Sequence, residues 1–158
     1  MSIPLSRSFK LAGEAVCYDQ PAQVHGAYSS GIEAADWIVD SIKADGIAND
    51  GNHRDIVIAG AGMSGISCAH ALMKYLVAND ITNFGIILLE SRDRLGGRVH
   101  SITKNGVTFD CGGTWLQNFG ENALAPIAQD IGLTLVHTDF NDAIIAAKTN
   151  DGSSVTLK

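Results

Sequence analysis

Residues 55–69 read DIVIAGAGMSGISCA, and this stretch decides the fold. The run DIVIA is short, apolar and followed by glycines, which is typical of a buried strand. GAGMSG predicts a tight turn, and apolar side chains at helical spacing predict a helix over residues 66–78 that begins near Met63. Residues 85–89, GIILL, predict a second buried strand that ends in Glu90. Together these elements form a β-α-β unit, which connection rules make parallel and right-handed.

The glycine turn carries the spacing G-x-G-x-x-G at Gly60, Gly62 and Gly65. Between a strand and a helix, the first glycine permits the sharp turn, the second leaves room for a pyrophosphate, and the third lets the helix lie close to the strand. The helix start at Met63 and Ser64 then presents N–H groups and a partial positive charge to phosphates. The alternative is a glycine-rich turn that binds nothing, and the triplet alone does not separate the two interpretations.

Glu90 favours the dinucleotide interpretation. It ends the second strand 25 residues after Gly65, close to the spacing of about 20 at which an acidic residue accepts the ribose hydroxyls. This carboxylate indicates an unphosphorylated ribose, and therefore FAD or NAD rather than NADP. The alternative role of Glu90 is that of a solvated residue at a strand end.

Elements are also predicted on both sides of this unit. Residues 8–11 predict a short strand, the following residues to 22 a loop, and helical spacing predicts a helix from Val24. Residues 43–54 are polar and lack periodicity, which indicates a linker. Asn105-Gly106 predicts a hairpin between residues 100–104 and 107–111. A helix is predicted over residues 123–131, and strands over residues 133–137, 143–148 and 154–157, the last two joined across residues 150–152.

The predicted fold class is α/β, a Rossmann-like FAD/NAD(P)-binding domain with a central parallel sheet and a small β-hairpin layer. With 158 residues, of which 46% are hydrophobic, the chain is long enough for one globular domain. The net charge of -6 with scattered Lys and Arg argues against nucleic acid as a partner. Residues 56–73 approach the length of a membrane span, but glycines, serines and a histidine interrupt them, and we expect no membrane span.

The three cysteines, Cys17, Cys68 and Cys111, form no C-x-x-C pair and no ligand pattern with histidine. We therefore expect no metal site, and a reducing intracellular compartment as the localisation.

A family resemblance adds to these inferences. IVIAGAGMSGISCA, LLESRDRLGGR and FDCGGTWLQ together resemble the opening of the flavin-containing amine oxidases, and GAGMSGIS is similar to polyamine oxidases of the plant and fungal type. The resemblance implies that the cofactor is FAD. It covers the cofactor-binding part of the family, without the substrate domain.

The front of the chain carries a second resemblance. LAGEAVCYDQPAQVHGAYSSGIEAAD is similar to the second FAD signature of that family, which in the family lies near the carboxyl terminus, after the substrate domain. Here it precedes the glycine turn. The resemblance implies a single FAD-binding domain over residues 1–158 with its segments in circularly permuted order: residues 1–42, a joint at residues 43–54, and residues 55–158. We expect a rearranged, engineered minimal flavoprotein, and the alternative is a natural fragment or a gene-fusion joint.

The resemblance also assigns cofactor contacts residue by residue. The pyrophosphate turn is Gly60, Gly62, Met63, Ser64 and Gly65, and the ribose carboxylate is Glu90. The adenosine and phosphate loop holds Ser91, Arg92, Gly97 and Arg98, and the stretch along the ribityl chain and the isoalloxazine ring holds Gly113, Thr114, Trp115 and Leu116. The acidic signature holds Gly13 and Glu14, and the helix start that faces the flavin N1–C2=O region holds Gln23 and Val24.

No catalytic residue is assigned, and His25 is interpreted as a hydrogen-bonded structural residue. Three functions stay open: a flavin-binding module, an amine oxidase whose substrate domain comes from another chain, and an NAD-binding domain. If the substrate domain is missing, the face that it covered would be exposed, which predicts homo-oligomers through that face.

Overall fold

The computed structural model describes residues 3–138, 145–148 and 154–157, and the chain divides into two units, residues 1–127 and residues 128–158. The elements of the first unit are α1 (Val24–Ala44), β1 (Arg54–Ala59), α2 (Met63–Ala78), β2 (Phe84–Leu89), β3 (Ser101–Lys104) and β4 (Val107–Asp110), with 3₁₀ turns at Glu14–Val16 and Phe119–Glu121. The chain passes from the first unit to the second within α3 (Ala125–Asp130), and β5 (Ile145–Lys148) and β6 (Ser154–Leu157) belong to the second unit.

The predicted β-α-β unit forms around the glycine turn. Strands β1 and β2 pair in parallel, from Arg54 opposite Phe84 to Ala59 opposite Leu89. Helix α2 begins at Met63, directly after the turn, and connects the two strands. The predictions of the parallel pairing and of this helix start are confirmed.

Helices α1 and α2 pack against each other at two small residues. A Cβ on Gly31 would collide with the Ser67 hydroxyl and the Ser64 carbonyl oxygen, so only a glycine permits this approach. The Ser67 hydroxyl donates to the carbonyl oxygen of Tyr28, 2.9 Å away, and so links the two helices directly. The small residues early in α1 therefore form the contact with α2.

The hydrophobic core lies between the two helices and one face of the sheet. Ala35 and Leu72 are fully buried there, and Ile56, Ile58 and Ile86 from the strands pack against them. On the opposite face, Val57 is 57% exposed and Leu89 is 52% exposed. Parallel sheets usually carry apolar side chains on both faces because both faces are covered. In the part of the chain that the structure describes, α1 and α2 pack on one face only.

The predicted linker is an ordered loop between α1 and β1. Asn83 holds it, because its side-chain amide donates to the carbonyl oxygens of Ile47 and Asn52 at 2.9 and 3.0 Å. Asp50 forms a two-pronged ion pair with Arg54, with both N–O distances 2.8 Å. Polar composition indicated a connection here, but only the fold shows that side chains of the neighbouring loop fix its course.

The predicted strand over residues 8–11 is wrong. The backbone N–H groups of Leu5 and Ser6 both donate to the carbonyl oxygen of Phe9, which closes a tight turn with a single bridge between Ser6 and Phe9. Lys10 then reaches α1, where its ammonium donates to the Glu33 carbonyl oxygen at 3.4 Å. The composition of this stretch favours a strand, but the local turn forms instead.

The predicted hairpin is confirmed. Strands β3 and β4 pair antiparallel, and Asn105 and Gly106 between them have φ values of 53° and 78°. These left-handed conformations are those that a two-residue Asn-Gly turn requires. The hairpin supplies the predicted antiparallel layer of the first unit.

Of the elements predicted after residue 122, some are confirmed and one is wrong. The helix predicted over residues 123–131 forms as α3, with Pro126 in its first turn. In the second unit, the strand predicted over residues 133–137 is wrong, because Leu133, Leu135 and Val136 are exposed and form no ladder in the described residues. Strands β5 and β6 pair antiparallel. Residues 143–144 and the predicted turn at residues 150–152 lie outside the described residues.

Candidate functional site

A cavity of about 640 Å³ lies in the first unit, beside the start of α2. Four separate stretches of sequence line it: the front segment together with the start of α1, the glycine turn, the loop before the hairpin, and the loop after it. The lining residues are Gly13, Glu14, Ala22, Gln23, Val24, Ala27, Gly62, Met63, Ser64, Arg92, Arg94, Gly96, Gly97, Arg98, Val99, His100, Cys111, Gly112 and Gly113.

The glycine turn brings the backbone of α2 to this cavity. Gly60 has a φ of 104°, a conformation that favours glycine, and a Cβ on Gly65 would collide with the Gly60 carbonyl oxygen. Gly62 has open space on its cavity side, since an added Cβ would meet only the Cα of Gly97 at 4.0 Å. Gly60 and Gly65 therefore shape the turn as their spacing predicts, and the role of Gly62 toward a pyrophosphate stays a prediction.

A second glycine loop, which contains Gly96 and Gly97, contacts the glycine turn. The Gly96 N–H donates to the Ala61 carbonyl oxygen at 2.8 Å, and Gly62 and Gly96 form a parallel bridge. Arg94 stiffens this loop, because its guanidinium donates to the Gly97 carbonyl oxygen at 2.9 Å. The two glycine segments thus form one continuous backbone wall.

Two helices begin at the cavity. Gly62 precedes α2 and Gln23 precedes α1, and neither helix has a side-chain cap on its first N–H groups. Uncapped N–H groups together with the helix dipole attract negative charge. The buried Gln23 Oε1 atom has no hydrogen-bond partner among the described residues. A ligand with both an anionic group and an N–H or O–H donor would satisfy these groups.

Gly113 joins the start of α1 to the loop after the hairpin. A Cβ on Gly113 would collide with the Val24 side chain, and the Gly113 N–H donates to the Arg98 carbonyl oxygen at 3.3 Å. Residues far apart along the chain therefore meet at this end of the cavity.

Glu90 lies at the carboxyl end of β2, beside the glycine turn. Its carboxylate accepts hydrogen bonds from the Ala61 N–H at 2.8 Å and from the Arg92 N–H at 3.0 Å. These backbone donors, the Ala61 N–H first, lower the pKa of Glu90 below its ordinary value. Glu90 therefore fixes the turn in addition to any contact with a ribose.

The pKa shift of Glu90 predicts a loss of stability in acid. Because the folded-state pKa is lowered, its contribution to stability is present above the ordinary value of 4.5 and is lost as the pH falls through the folded-state value. We expect Glu90→Gln to lower the unfolding temperature at pH 7 by a few degrees, and this difference from the wild type to shrink in acid. Thermal unfolding between pH 7 and pH 3 measures it, with Asp40→Asn on the exposed side of α1 as the control. A difference that does not change with pH would contradict the assignment.

Most of the predicted site residues lie around the cavity. Eleven of them line it directly: Gly13, Glu14, Gln23, Val24, Gly62, Met63, Ser64, Arg92, Gly97, Arg98 and Gly113. Gly60 and Gly65 shape the turn, and Glu90 contacts it, while Ser91 donates to Glu90 at 3.3 Å. Thr114, Trp115 and Leu116 do not line the cavity, and the Thr114 hydroxyl donates instead to the Gly112 carbonyl oxygen.

Several lining residues are not among those predicted from the sequence. Arg94, Gly96, Cys111 and Gly112 lie inside the motifs that carry the family resemblance, so extending each motif would have found them. Ala22 and Ala27 likewise lie inside the front motif that carries the second resemblance, whereas Val99 and His100 carry no such signal.

His25 is buried and hydrogen-bonded. It is 2% exposed, and its Nδ1 lies 3.2 Å from the side-chain amide nitrogen of Asn122. That amide also donates to the Gln117 carbonyl oxygen at 2.7 Å. These contacts support the structural interpretation of His25, because they tie the start of α1 to the segment before α3.

Cys68 is buried, and burial raises the pKa of its thiol to about 11. All three cysteines are free thiols. In the described residues no group of three or more His, Cys, Asp or Glu side chains is arranged to hold a metal ion. Among the helices of those same residues, none has the length and apolar character needed to cross a membrane.

Comparisons with known proteins bear on the fold class and on the cofactor. Residues 58–131 match the family described as NAD(P)-binding Rossmann-like domain, which confirms the predicted fold class. The chain is similar to Probable polyamine oxidase 4 of Arabidopsis thaliana, with 38% identity over 91 residues, and to Polyamine oxidase 5 of Oryza sativa subsp. japonica, with 40% identity over 91 residues. Each alignment covers 57% of this chain and 17% of the relative.

A more distant relative is the flavin-containing amine oxidase A of Sus scrofa, with 29% identity over 100 residues, 62% of this chain and 18% of that protein. This relative is consistent with the prediction of FAD. The chain thus matches less than a fifth of the length of these curated relatives. No solved structure matches the chain at a significant level.

Proposed function

We propose that the chain binds FAD non-covalently in this cavity, with the diphosphate at the start of α2 and the flavin toward the start of α1. One observation carries the proposal. The glycine turn, Arg98 and the start of α1 line a single cavity although they are far apart in the sequence. This is the arrangement that a long dinucleotide requires, because its phosphate and its ring system need different surroundings.

The residues fit the group. The volume of about 640 Å³ lies within the range of small-molecule sites, roughly 300–1,000 Å³. Gly62 leaves room for a diphosphate beside uncapped N–H groups, and Gln23 Oε1 can accept a hydrogen bond from the flavin end. Bound FAD would supply hydride-accepting chemistry, while the protein contributes binding, orientation and electrostatics.

The visible absorption spectrum of the purified protein after desalting tests the proposal. We expect a flavin spectrum that is retained, or that returns after incubation with FAD and a second desalting. A protein that binds NAD instead, or that retains no flavin after incubation, would overturn it. Titration with NAD in parallel separates the two cofactors.

The front segment belongs to the same proposal. We infer that residues 1–42 correspond to the segment that in flavin amine oxidases follows the substrate domain, and that the chain is a rearranged, single FAD-binding domain. Gly13, Glu14, Gln23 and Val24 support this, since they line the cavity together with the glycine turn. Gln23→Ala should weaken FAD binding several-fold at an unchanged unfolding temperature. Unchanged affinity in this variant would remove the front segment from the site.

The names of two relatives suggest polyamine oxidation as an activity of a larger assembly. We propose that this chain alone lacks efficient amine oxidation, because the residues assigned to the site bind a cofactor and none is placed to bind an amine. Peroxide release from the FAD-loaded chain with spermine or spermidine would contradict this. Release only in the presence of a second chain would support the alternative in which that chain supplies the substrate domain.

Self-association stays a prediction. Among the described residues, the sheet face opposite α1 and α2 presents Val57, Ile87 and Leu89, which are 39% to 57% exposed. Burial of apolar area of this kind drives association. Sedimentation velocity should show a concentration-dependent dimer that Leu89→Glu weakens, and a monomer at all concentrations would refute the prediction.

A further inference from the structure

An ion pair joins two walls of the cavity. Glu14 Oε1 lies 2.8 Å from the Arg98 guanidinium, and the two residues are 84 positions apart in the sequence. Both residues line the cavity. The pair therefore connects the front segment to the second glycine loop at the place where we propose that a nucleotide binds.

The two partners are held very differently. The Glu14 carboxylate also accepts the Ala22 N–H at 2.7 Å, and the preceding Gly13 N–H donates to the Ser30 hydroxyl at 2.8 Å. The side chain of Glu14 is 17% exposed, while that of Arg98 is 83% exposed. Arg98 can therefore move to another partner, whereas Glu14 stays in place.

Besides Arg98, two arginines line the cavity, Arg92 and Arg94. Arg94 already donates to the Gly97 and Leu95 carbonyl oxygens and so holds the loop. Arg98 lies in the loop whose Gly97 faces Gly62, next to the open space in front of the glycine turn. A guanidinium forms two parallel hydrogen bonds with phosphate as readily as with carboxylate.

We propose that Glu14 and the phosphates of the bound nucleotide compete for Arg98, so that the Glu14–Arg98 pair is a latch that a diphosphate must open. This inference rests on the proposed function, because it needs the diphosphate at the start of α2. Glu14 acts as a built-in anion that holds the arginine in the ligand-free protein. It also disfavours weakly binding anions, because a ligand must break this ion pair before it can contact Arg98.

If the proposal is right, removing the negative charge of Glu14 should strengthen phosphate binding rather than weaken it. Glu14→Gln keeps an oxygen that can accept the Ala22 N–H but no longer holds the arginine as an ion pair. A solvent-accessible ion pair contributes little net stability, so we expect ADP and inorganic pyrophosphate to bind only about 1.4- to 5-fold more tightly. The gain should diminish between low ionic strength and about 1 M salt, where screening acts over about 3 Å.

Isothermal titration calorimetry on the ligand-free protein tests the latch with ADP, pyrophosphate and riboflavin. Riboflavin has no phosphate, and its affinity should not rise in Glu14→Gln. Asp40→Asn removes one negative charge from an exposed site on α1 and should change none of the three affinities. Arg98→Gln should weaken ADP and pyrophosphate, and in that background Glu14→Gln should give no further gain.

The outcomes separate the latch from the proposed function. The latch is supported if Glu14→Gln binds pyrophosphate and ADP more tightly than the wild type, and if this gain is absent when Arg98→Gln is also present. If a Glu14→Gln protein still binds FAD but its affinity for pyrophosphate is unchanged or weaker, the latch is overturned and the proposed function stays in place. A wild-type protein that binds neither FAD nor ADP overturns both.

Discussion

Gly62→Ala should abolish retention of FAD while leaving the fold intact. The added Cβ meets only the Cα of Gly97 at 4.0 Å, which is an ordinary contact. The backbone at Gly62, with φ -78° and ψ -176°, suits alanine as well as glycine. The methyl group would instead occupy the space through which a diphosphate reaches the first N–H groups of α2.

The expected loss in FAD affinity is at least about 30-fold, which corresponds to about 2 kcal/mol of binding free energy. Fluorescence titration with FAD measures the affinity, and thermal unfolding without ligand measures the fold. Gly120→Ala is the matched control, because Gly120 does not line the cavity and has no atom within 4 Å of an added Cβ. Wild-type affinity in Gly62→Ala would place the diphosphate elsewhere, and a large fall in its unfolding temperature would show that the glycine is structural.

Gly31→Val should give the largest loss of stability. The new side chain would collide with the Ser67 hydroxyl and with the backbone carbonyl oxygen of Ser64, and a backbone atom cannot rotate away. Overpacking of this kind costs about 1–3 kcal/mol, and loss of the Ser67–Tyr28 hydrogen bond adds about 1 kcal/mol. We expect the free energy of unfolding to fall by about 2–4 kcal/mol, a large part of the 5–15 kcal/mol typical of a domain.

Urea unfolding followed by circular dichroism measures this change. Valine has a higher helix propensity than glycine, so propensity alone would raise the stability of α1. Asp40→Val places the same side chain at an exposed position of the same helix and should change the stability by less than about 1 kcal/mol. Equal stability of Gly31→Val and the wild type would mean that the two helices can separate at little cost.

Gly62→Ala tests the binding site itself, whereas Gly31→Val tests the helix packing that positions it. Gly62 shapes the space that a ligand would occupy, whereas Gly31 sets how closely α1 approaches α2 and therefore where Gln23 and Val24 lie. We expect Gly31→Val to weaken FAD binding as well, but only together with a loss of stability. Measured side by side, the two variants separate the contribution of the site from that of the scaffold.

The sequence alone determined the elements whose signals are local. The parallel strands, the glycine turn, the start of α1 at Val24 and the Asn105-Gly106 hairpin follow from apolar runs, spacing and backbone preferences within about ten residues. The same local rules placed a strand at residues 8–11, where a turn closed by the Phe9 carbonyl oxygen forms instead.

Only the tertiary structure decided which distant residues meet. It brought Arg98 to Glu14, Gly113 to Val24 and Ser67 to Gly31, pairs separated by 36 to 89 positions. It also turned the Glu90 carboxylate onto the Ala61 N–H. The physical reason is that these contacts depend on the crossing of α1 with α2 and on the pairing of two glycine loops. That geometry is set by the packing of the whole first unit, and no stretch of its sequence encodes it alone.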